Sequence, residues 1–157
     1  MRIHLLAIGS KMPDWVNTAT DEYIGRMPPH CRVITHEIAA EKRTKTADLK
    51  KIRELEGDKL LTAIPAGSLV IALDVLGKAW STEQLAQNLN TWMVGGRDVA
   101  LLVGGPEGLS QACIDRAEIR WSLSPLTFPH PLVRVMVAEQ LFRAWSILSN
   151  HPYHRAD

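Results

Sequence analysis

Residues 99–108 read VALLVGGPEG. Val99 to Val103 are all apolar, with no alternation, so the strand they form is covered on both faces. It runs straight into Gly104-Gly105-Pro106-Glu107-Gly108, where glycine lets the backbone turn tightly and approach a ligand closely. A second unalternating run, LVIAL (69–73), follows the turn Pro65–Gly67. Two such strands point to a parallel sheet with helices on both sides.

Outward from this pair, strands and helices alternate. IHLLAI (3–8), ended by Gly9, is a strand. RVITHEI (32–38) alternates and is β-branched, and 119–123 is a weaker fifth strand. A helical pattern opens at Pro13-Asp14 and runs to Met27, with Trp15, Val16, Ala19, Tyr23 and Ile24 recurring about every 3.6 residues. Further helices are expected over 46–63 with Thr46 as N-cap, and over 81–94 with Ser81 and Gln84 as a capping box. A short one follows Ser110, and a long one covers 132–148. The reading is an α/β fold, a single domain over 1–157, with a mostly parallel sheet flanked by helices.

Composition agrees. The chain has 157 residues, 46% hydrophobic and 22% charged, enough for one packed core and too apolar for a disordered chain. No apolar run reaches transmembrane length, and the polar turn after Ile8 does not suit a secretory signal. Cys31 and Cys113 form no C-x-x-C pair, which speaks against a disulfide scaffold or zinc ribbon and suits the cytoplasm.

Chemistry is expected beyond the carboxyl ends of the strands, where open α/β sheets bind ligands. Three ends stand out: Leu73-Asp74, Gly104–Gly108 and the loop SPLTFPHP (124–131), whose three prolines exclude helix and central strand. The glycine spacing is not G-x-G-x-x-G and no Walker lysine follows. Such ends suit a flat heteroaromatic ring held by backbone groups and apolar side chains. The tail HPYHR (151–155) gathers titratable groups. His151 and His154 lack a neighbouring cysteine or carboxylate cluster, so no metal is expected. Lys42, Arg43, Lys45, Lys50, Lys51 and Arg53 set six basic residues against Glu41 and Asp48 in a chain of net charge +1. This local positive patch is the footprint of phosphate-backbone binding, or else a solvated face. The last helix is apolar at 12 of 17 positions, more than one core-facing stripe needs. A second copy of the chain would cover the surplus.

Taken together, LLVGGPEGLS (101–110), WSLSPLTFPHPLVRVMVAEQLFRAWSI (121–147) and NHPYHR (150–155) resemble the RlmH family of SPOUT RNA methyltransferases. LLAIGSKMPDWV (5–16) and LDVLGKAWS (73–81) match as well, so the similarity runs end to end. Phe128 and the terminal Ala156-Asp157 are small departures. The resemblance implies a deep C-terminal trefoil knot that binds S-adenosylmethionine. By family position, Leu73, Gly104, Leu123, Ser124, Pro125, Leu126, Thr127 and Phe128 contact it. It also implies a homodimer with the last helix at the interface. The implied substrate is a pseudouridine in helix 69 of 23S rRNA, methylated at N3 on assembled ribosomes.

A sulfonium methyl is already electrophilic, whereas the N3–H must lose its proton before nitrogen attacks. His154 is the candidate base, Tyr153 would position the ring, and Arg155 would hold a phosphate or a developing carbonyl anion. The competing role for all three is simply to grip RNA. Lys42, Arg43, Lys45 and Arg134 are the candidate RNA contacts. His130 is expected to be structural, and Glu107 conformational or a cofactor contact. The rival functions are a SPOUT methyltransferase with another RNA target and a ribosome-assembly factor without activity.

Overall fold

The computed structural model describes residues 1–155; Ala156 and Asp157 lie outside the described residues. Five strands, β1 (Arg2–Ile8), β2 (Arg32–Ile38), β3 (Leu69–Ala79), β4 (Val99–Val103) and β5 (Ile119–Ser122), form one sheet in the order β2-β1-β4-β3-β5. Every pairing is parallel. The helices are α1 (Asp14–Ile24), α2 (Leu49–Ala63), α3 (Thr82–Gly95), α4 (Gln111–Arg116) and α5 (His130–Leu148).

Strand β1 shows how the sequence creates two layers. Ile3, Leu5 and Ala7 join a cluster with Leu85 and Leu89 of α3 and with Val137 and Leu141 of α5. Leu6 and Ile8, on the opposite face, meet Leu60 of α2 and Cys113 of α4. Full burial of each large aliphatic side chain is worth about 1.5–3 kcal/mol, so the apolar run is the price of being central. Register then fixes the functional edge. Ala7 lies opposite Glu37 and Val103, Ala72 opposite Leu102, and Leu73 opposite Trp121. The carboxyl ends therefore emerge together.

β2 and β4 have the expected bounds. Four elements differ by two residues or more, each for a local reason. α1 stops at Ile24, short of Met27, where the Gly25 N–H bonds back to Asp21 O at 2.9 Å. The N-cap of α2 is Asp48, not Thr46: its Oδ1 accepts from the N–H groups of Lys50 (3.1 Å) and Lys51 (3.2 Å). β3 continues past Leu73 because its register with β5 slips between Leu73 and Lys78, throwing out a bulge. Gly77 permits this: a Cβ there would lie 2.6 Å from the carbonyl carbon of Arg120. Finally, α5 begins at His130, with Pro131 in its first turn, where a missing N–H breaks no helical bond. The proline-rich loop is therefore shorter than the sequence suggests.

The apolar surplus of α5 is met partly within the chain, because α5 packs against both α1 and α3. Phe142 and Ala144 are buried, and Trp145 rests edge-on against His30 at 5.0 Å. Val135 and Met136 instead line an open groove of about 470 Å3 with Trp80 and Leu123. Among the described residues, no helix is long and apolar enough to cross a membrane.

Candidate active site

A cavity of about 600 Å3 opens where β3, β4 and β5 end. Leu73, Gly104, Leu123, Ser124, Leu126, Thr127 and Phe128, seven of the positions the family resemblance points to, line it. Pro125 does not; it is exposed and sits at the outside of its loop. The loop is shaped by Ser124, whose Oγ accepts from the Leu126 N–H at 3.0 Å, and by Ser122, whose Oγ donates to Ser124 O at 3.0 Å. Gly104 admits no side chain: an added Cβ would stand 2.5 Å from the carbonyl carbon of Gly108. The turn is closed by Gly108 N–H donating to Gly105 O at 3.0 Å.

Asp74, expected at a strand end, also lines the cavity, as do Val75, Trp121, His130 and Val133, which the sequence did not mark as ligand-contacting. Asp74 and Val75 enter through the β3 bulge, for which the sequence signal is Gly77 inside a strand. Trp121 stacks on Trp80 at 5.1 Å and lines both this cavity and the α5 groove. Its place follows only from the β3–β5 pairing.

Two predicted RNA contacts are corrected by the structure. Arg134 is buried, only 2% exposed. Its Nη2 donates to Ile8 O (2.9 Å) and Gly9 O (2.7 Å), and its Nη1 to Glu37 Oε2 (2.9 Å). It clamps the end of β1 and has no face for RNA. Arg43 is likewise committed. Its guanidinium bonds Glu107 through Nε (3.1 Å) and Glu56 through Nη1 and Nη2 (both 3.0 Å). Glu56 is buried, so removing the arginine would strand a carboxylate. Bonding to Arg43 holds Glu107 below the ordinary carboxylate range. Glu107 thus both lines the cavity and anchors its turn to the basic loop. Lys42 and Lys45 remain exposed beside this anchor.

The tail residues do not line the cavity of their own chain. Tyr153 lies on Phe142 (4.8 Å) and donates to Glu139 Oε1 at 3.1 Å. Burial and the facing Glu139 push its phenol up to about 12, so it stays protonated. His154 Nδ1 accepts from Arg143 Nη1 at 3.3 Å, which leaves Nε2–H for Glu83 Oε1 at 3.2 Å. In this arrangement the lone pair a base would use is occupied. Arg155 is exposed.

The cavity fits S-adenosylmethionine on three counts. Its volume suits a nucleoside with a short amino-acid arm. Leu73, Leu123 and Phe128 supply apolar walls for a flat ring, and Gly104 lets backbone approach it. Its lining holds no lysine or arginine, and its two carboxylates, Asp74 and Glu107, are paired to Arg120 and Arg43 outside the lining, so it offers no cation to a dinucleotide phosphate. Among the described residues no group of three His, Cys, Asp or Glu could hold a metal ion.

Fold and cavity together define a parallel α/β protein that takes a cationic nucleoside at its strand ends. A family model described as a predicted SPOUT methyltransferase matches residues 1–154. The chain belongs to the SPOUT methyltransferase family, and its methyl donor is S-adenosylmethionine. Two relatives carry the name ribosomal RNA large subunit methyltransferase H. The one from Thioalkalivibrio sulfidiphilus is 59% identical over 155 residues, 99% of each chain. The one from Methylococcus capsulatus is 53% identical over 155 residues, 99% of this chain and 100% of the other. A probable methylase family protein from Haemophilus influenzae shares the fold. Its TM-score is 0.57 at 12% identity, covering 99% of this chain and 70% of that one.

Proposed function

We propose that the protein methylates N3 of a pseudouridine in helix 69 of 23S rRNA, acting on assembled ribosomes in the cytoplasm. Two relatives above half identity are named for large-subunit ribosomal RNA methylation. The observation that carries the chemistry is the cavity formed by three strand ends, walled largely by apolar side chains and backbone and lined by no lysine or arginine. Both cysteines are free and buried, in keeping with a reducing compartment. The C-terminal part of the chain forms the knot of its family, which brings these three loops together.

Bound there, S-adenosylmethionine supplies a methyl group on a positive sulfur. The protein's part is placement and proton removal. Leu73, Leu123 and Phe128 would hold the ring and the Gly104 turn would bring backbone groups to its edge, which fixes the donor for transfer. N3 of the target must give up its proton before its electron pair can take the methyl group, and the donor would leave as a neutral thioether.

The proton acceptor comes from a second copy of the chain. The α5 groove and the donor cavity share Trp121 and Leu123, so a partner seated in the groove also reaches the cavity mouth. In a two-fold dimer the same patch serves both copies. Tyr153 and His154 are fixed to Glu139 and Glu83, on the elements that border the groove. Each tail thereby meets its partner's cavity. His154 then exchanges Arg143 for N3–H, Tyr153 orients the ring, and Arg155 binds phosphate or the developing carbonyl anion.

Mass spectrometry of helix 69 nucleosides from cells with and without the gene tests this reading. Loss of N3-methylpseudouridine supports it. Loss of a different methylated nucleoside would transfer the enzyme to another RNA target, and no change at all would leave an assembly role.

A further inference from the structure

A second cavity, of about 390 Å3, opens at the carboxyl ends of β1 and β2. Pro106 and His130 line it and the donor cavity alike, so the two are separated by a wall one residue thick. The methyl-transfer chemistry described above uses none of it.

Its make-up is that of a nucleotide slot. Ile8, Met12, Ala40 and Pro106 give apolar surfaces against which a flat ring can lie. His130 Nδ1 is buried and has no hydrogen-bond partner. A buried polar atom left so is destabilising, and a ligand atom bonded to it would relieve this. Burial, then the charges of Arg134 and Arg43, lower the pKa of this imidazole, so at neutral pH one ring nitrogen donates and the other accepts. The edge of a nucleobase offers both complements.

Lys11 lines the mouth, is exposed, and forms no ion pair among the described residues. Arg43, on the same wall, has its charge answered by Glu56 and Glu107. Lys11 is thus the cation left for a phosphate. Trp15, 56% exposed, follows on the first turn of α1. An exposed lysine at the rim of an apolar slot suits single-stranded RNA: it neutralises a phosphate while the base lies against the apolar wall.

We infer that this cavity holds a nucleotide of the RNA substrate adjacent to the one that is methylated. Its base lies between Met12, Ala40 and Pro106, its edge meets His130, and its phosphate meets Lys11. RNA loops are recognised by splaying unstacked bases apart, and a thin shared wall suits consecutive nucleotides. The inference rests on the rRNA-methyltransferase reading.

The test uses the full-length enzyme with assembled ribosomes as substrate. Ala40→Trp fills the slot, and Lys11→Ala removes the cation. The expected result is a rise in apparent KM of about ten-fold for Ala40→Trp, equivalent to about 1.4 kcal/mol, and several-fold for Lys11→Ala. Turnover at saturating ribosomes and S-adenosylmethionine affinity by calorimetry should stay near wild type, and Lys11→Arg should restore KM. Unchanged KM in both variants would overturn the inference, as would lost turnover at unchanged KM, which would put the target base itself in the slot. Should Ala40→Trp not fold, the Lys11 pair decides. If the wild-type protein does not methylate ribosomes, the functional reading has failed. Uridine 5′-monophosphate titrated against the full chain then judges the cavity by NMR, with shifts at Ala40 and His130 supporting it and none there overturning it.

Discussion

Seven of the eight predicted donor contacts sit on loops that leave a five-stranded sheet at one edge, whereas the tail hangs on α5 by a few side-chain bonds. The donor cavity is placed by strand register, and register is enforced by every buried side chain of the sheet. The tail is placed by Glu139, Arg143 and Glu83, three surface-facing partners, of which Glu83 is the most exposed. One region has its walls in the single chain; the other lines no donor cavity of its own chain, and under the proposed mechanism it acts on a partner's. Donor binding and methyl transfer should therefore separate cleanly under mutation.

The largest effect is expected inside the donor cavity. Gly104→Ala puts a methyl group 2.5 Å from the Gly108 backbone, with no flexible side chain to give way. The turn must open, and S-adenosylmethionine affinity should fall by about 100-fold or more, equivalent to about 2.7 kcal/mol. Calorimetry in chelator checks this. Near-wild-type binding would show that the turn is a connector and not a donor contact.

Truncation after Asn150 is the complementary experiment. Donor affinity should remain within a few-fold, while single-turnover methylation should drop by about 100-fold, the scale of a lost base or positioning group. His154→Ala divides the two roles. A lost base is bypassed as rising pH ionises N3, so its rate recovers; a lost grip appears in apparent affinity and is nearly independent of pH. An intact rate in the truncated protein would return the search for a base to His130 and Glu107, both at the donor cavity.

The proposed dimer would join the two regions, and its probe follows from where the side chains lie. Trp145 packs against His30 within its own chain, so changing it would confuse folding with assembly. Met136 lines the groove. Met136→Glu should yield folded monomer by sedimentation, with methylation lost more severely than donor binding. A stable dimer would move the interface off α5.

How much of this was legible in the sequence follows the same division. Patterns with a local cause were readable: the unbroken apolar β4, the capping box Ser81–Gln84, the glycine turn. The β3 bulge was not, because Asp74 and Gly77 read as a strand end until β5 supplies the pairing. Arg134 and Arg43 were misjudged for a related reason. A charged residue reads as exposed, and only the fold brings Glu37 to Arg134 across 97 positions and Glu107 to Arg43 across 64. Arg43→Ala tests that correction. Stranding Glu56 should cost about 3 kcal/mol in denaturant unfolding. The Glu107 pair contributes fully above its ordinary value of 4.5 and fades as the pH falls through the lowered one. The stability gap between wild type and variant should therefore narrow on acidification. A gap that widens there would contradict the pairing.

The smallest effect belongs to the basic loop, and it asks whether the substrate side reaches beyond the tail. With Arg43 engaged by two carboxylates, Lys42 and Lys45 are the cations of this stretch that stay exposed next to the cavity turn. Each phosphate a lysine neutralises releases counterions, which gives binding a slope of roughly 0.7–0.9 per contact against log salt. Replacing both by Ala should lower the salt slope of ribosome binding by about 1.5 and weaken binding only modestly near physiological salt. Donor affinity should not change, since neither side chain lines the donor cavity. The slope discriminates better than affinity does, because a loop disturbed for structural reasons would weaken binding without altering the number of counterions released. A slope equal to wild type would make the two lysines a solvated face, and would leave the tail and the slot beside His130 as the surfaces that meet RNA.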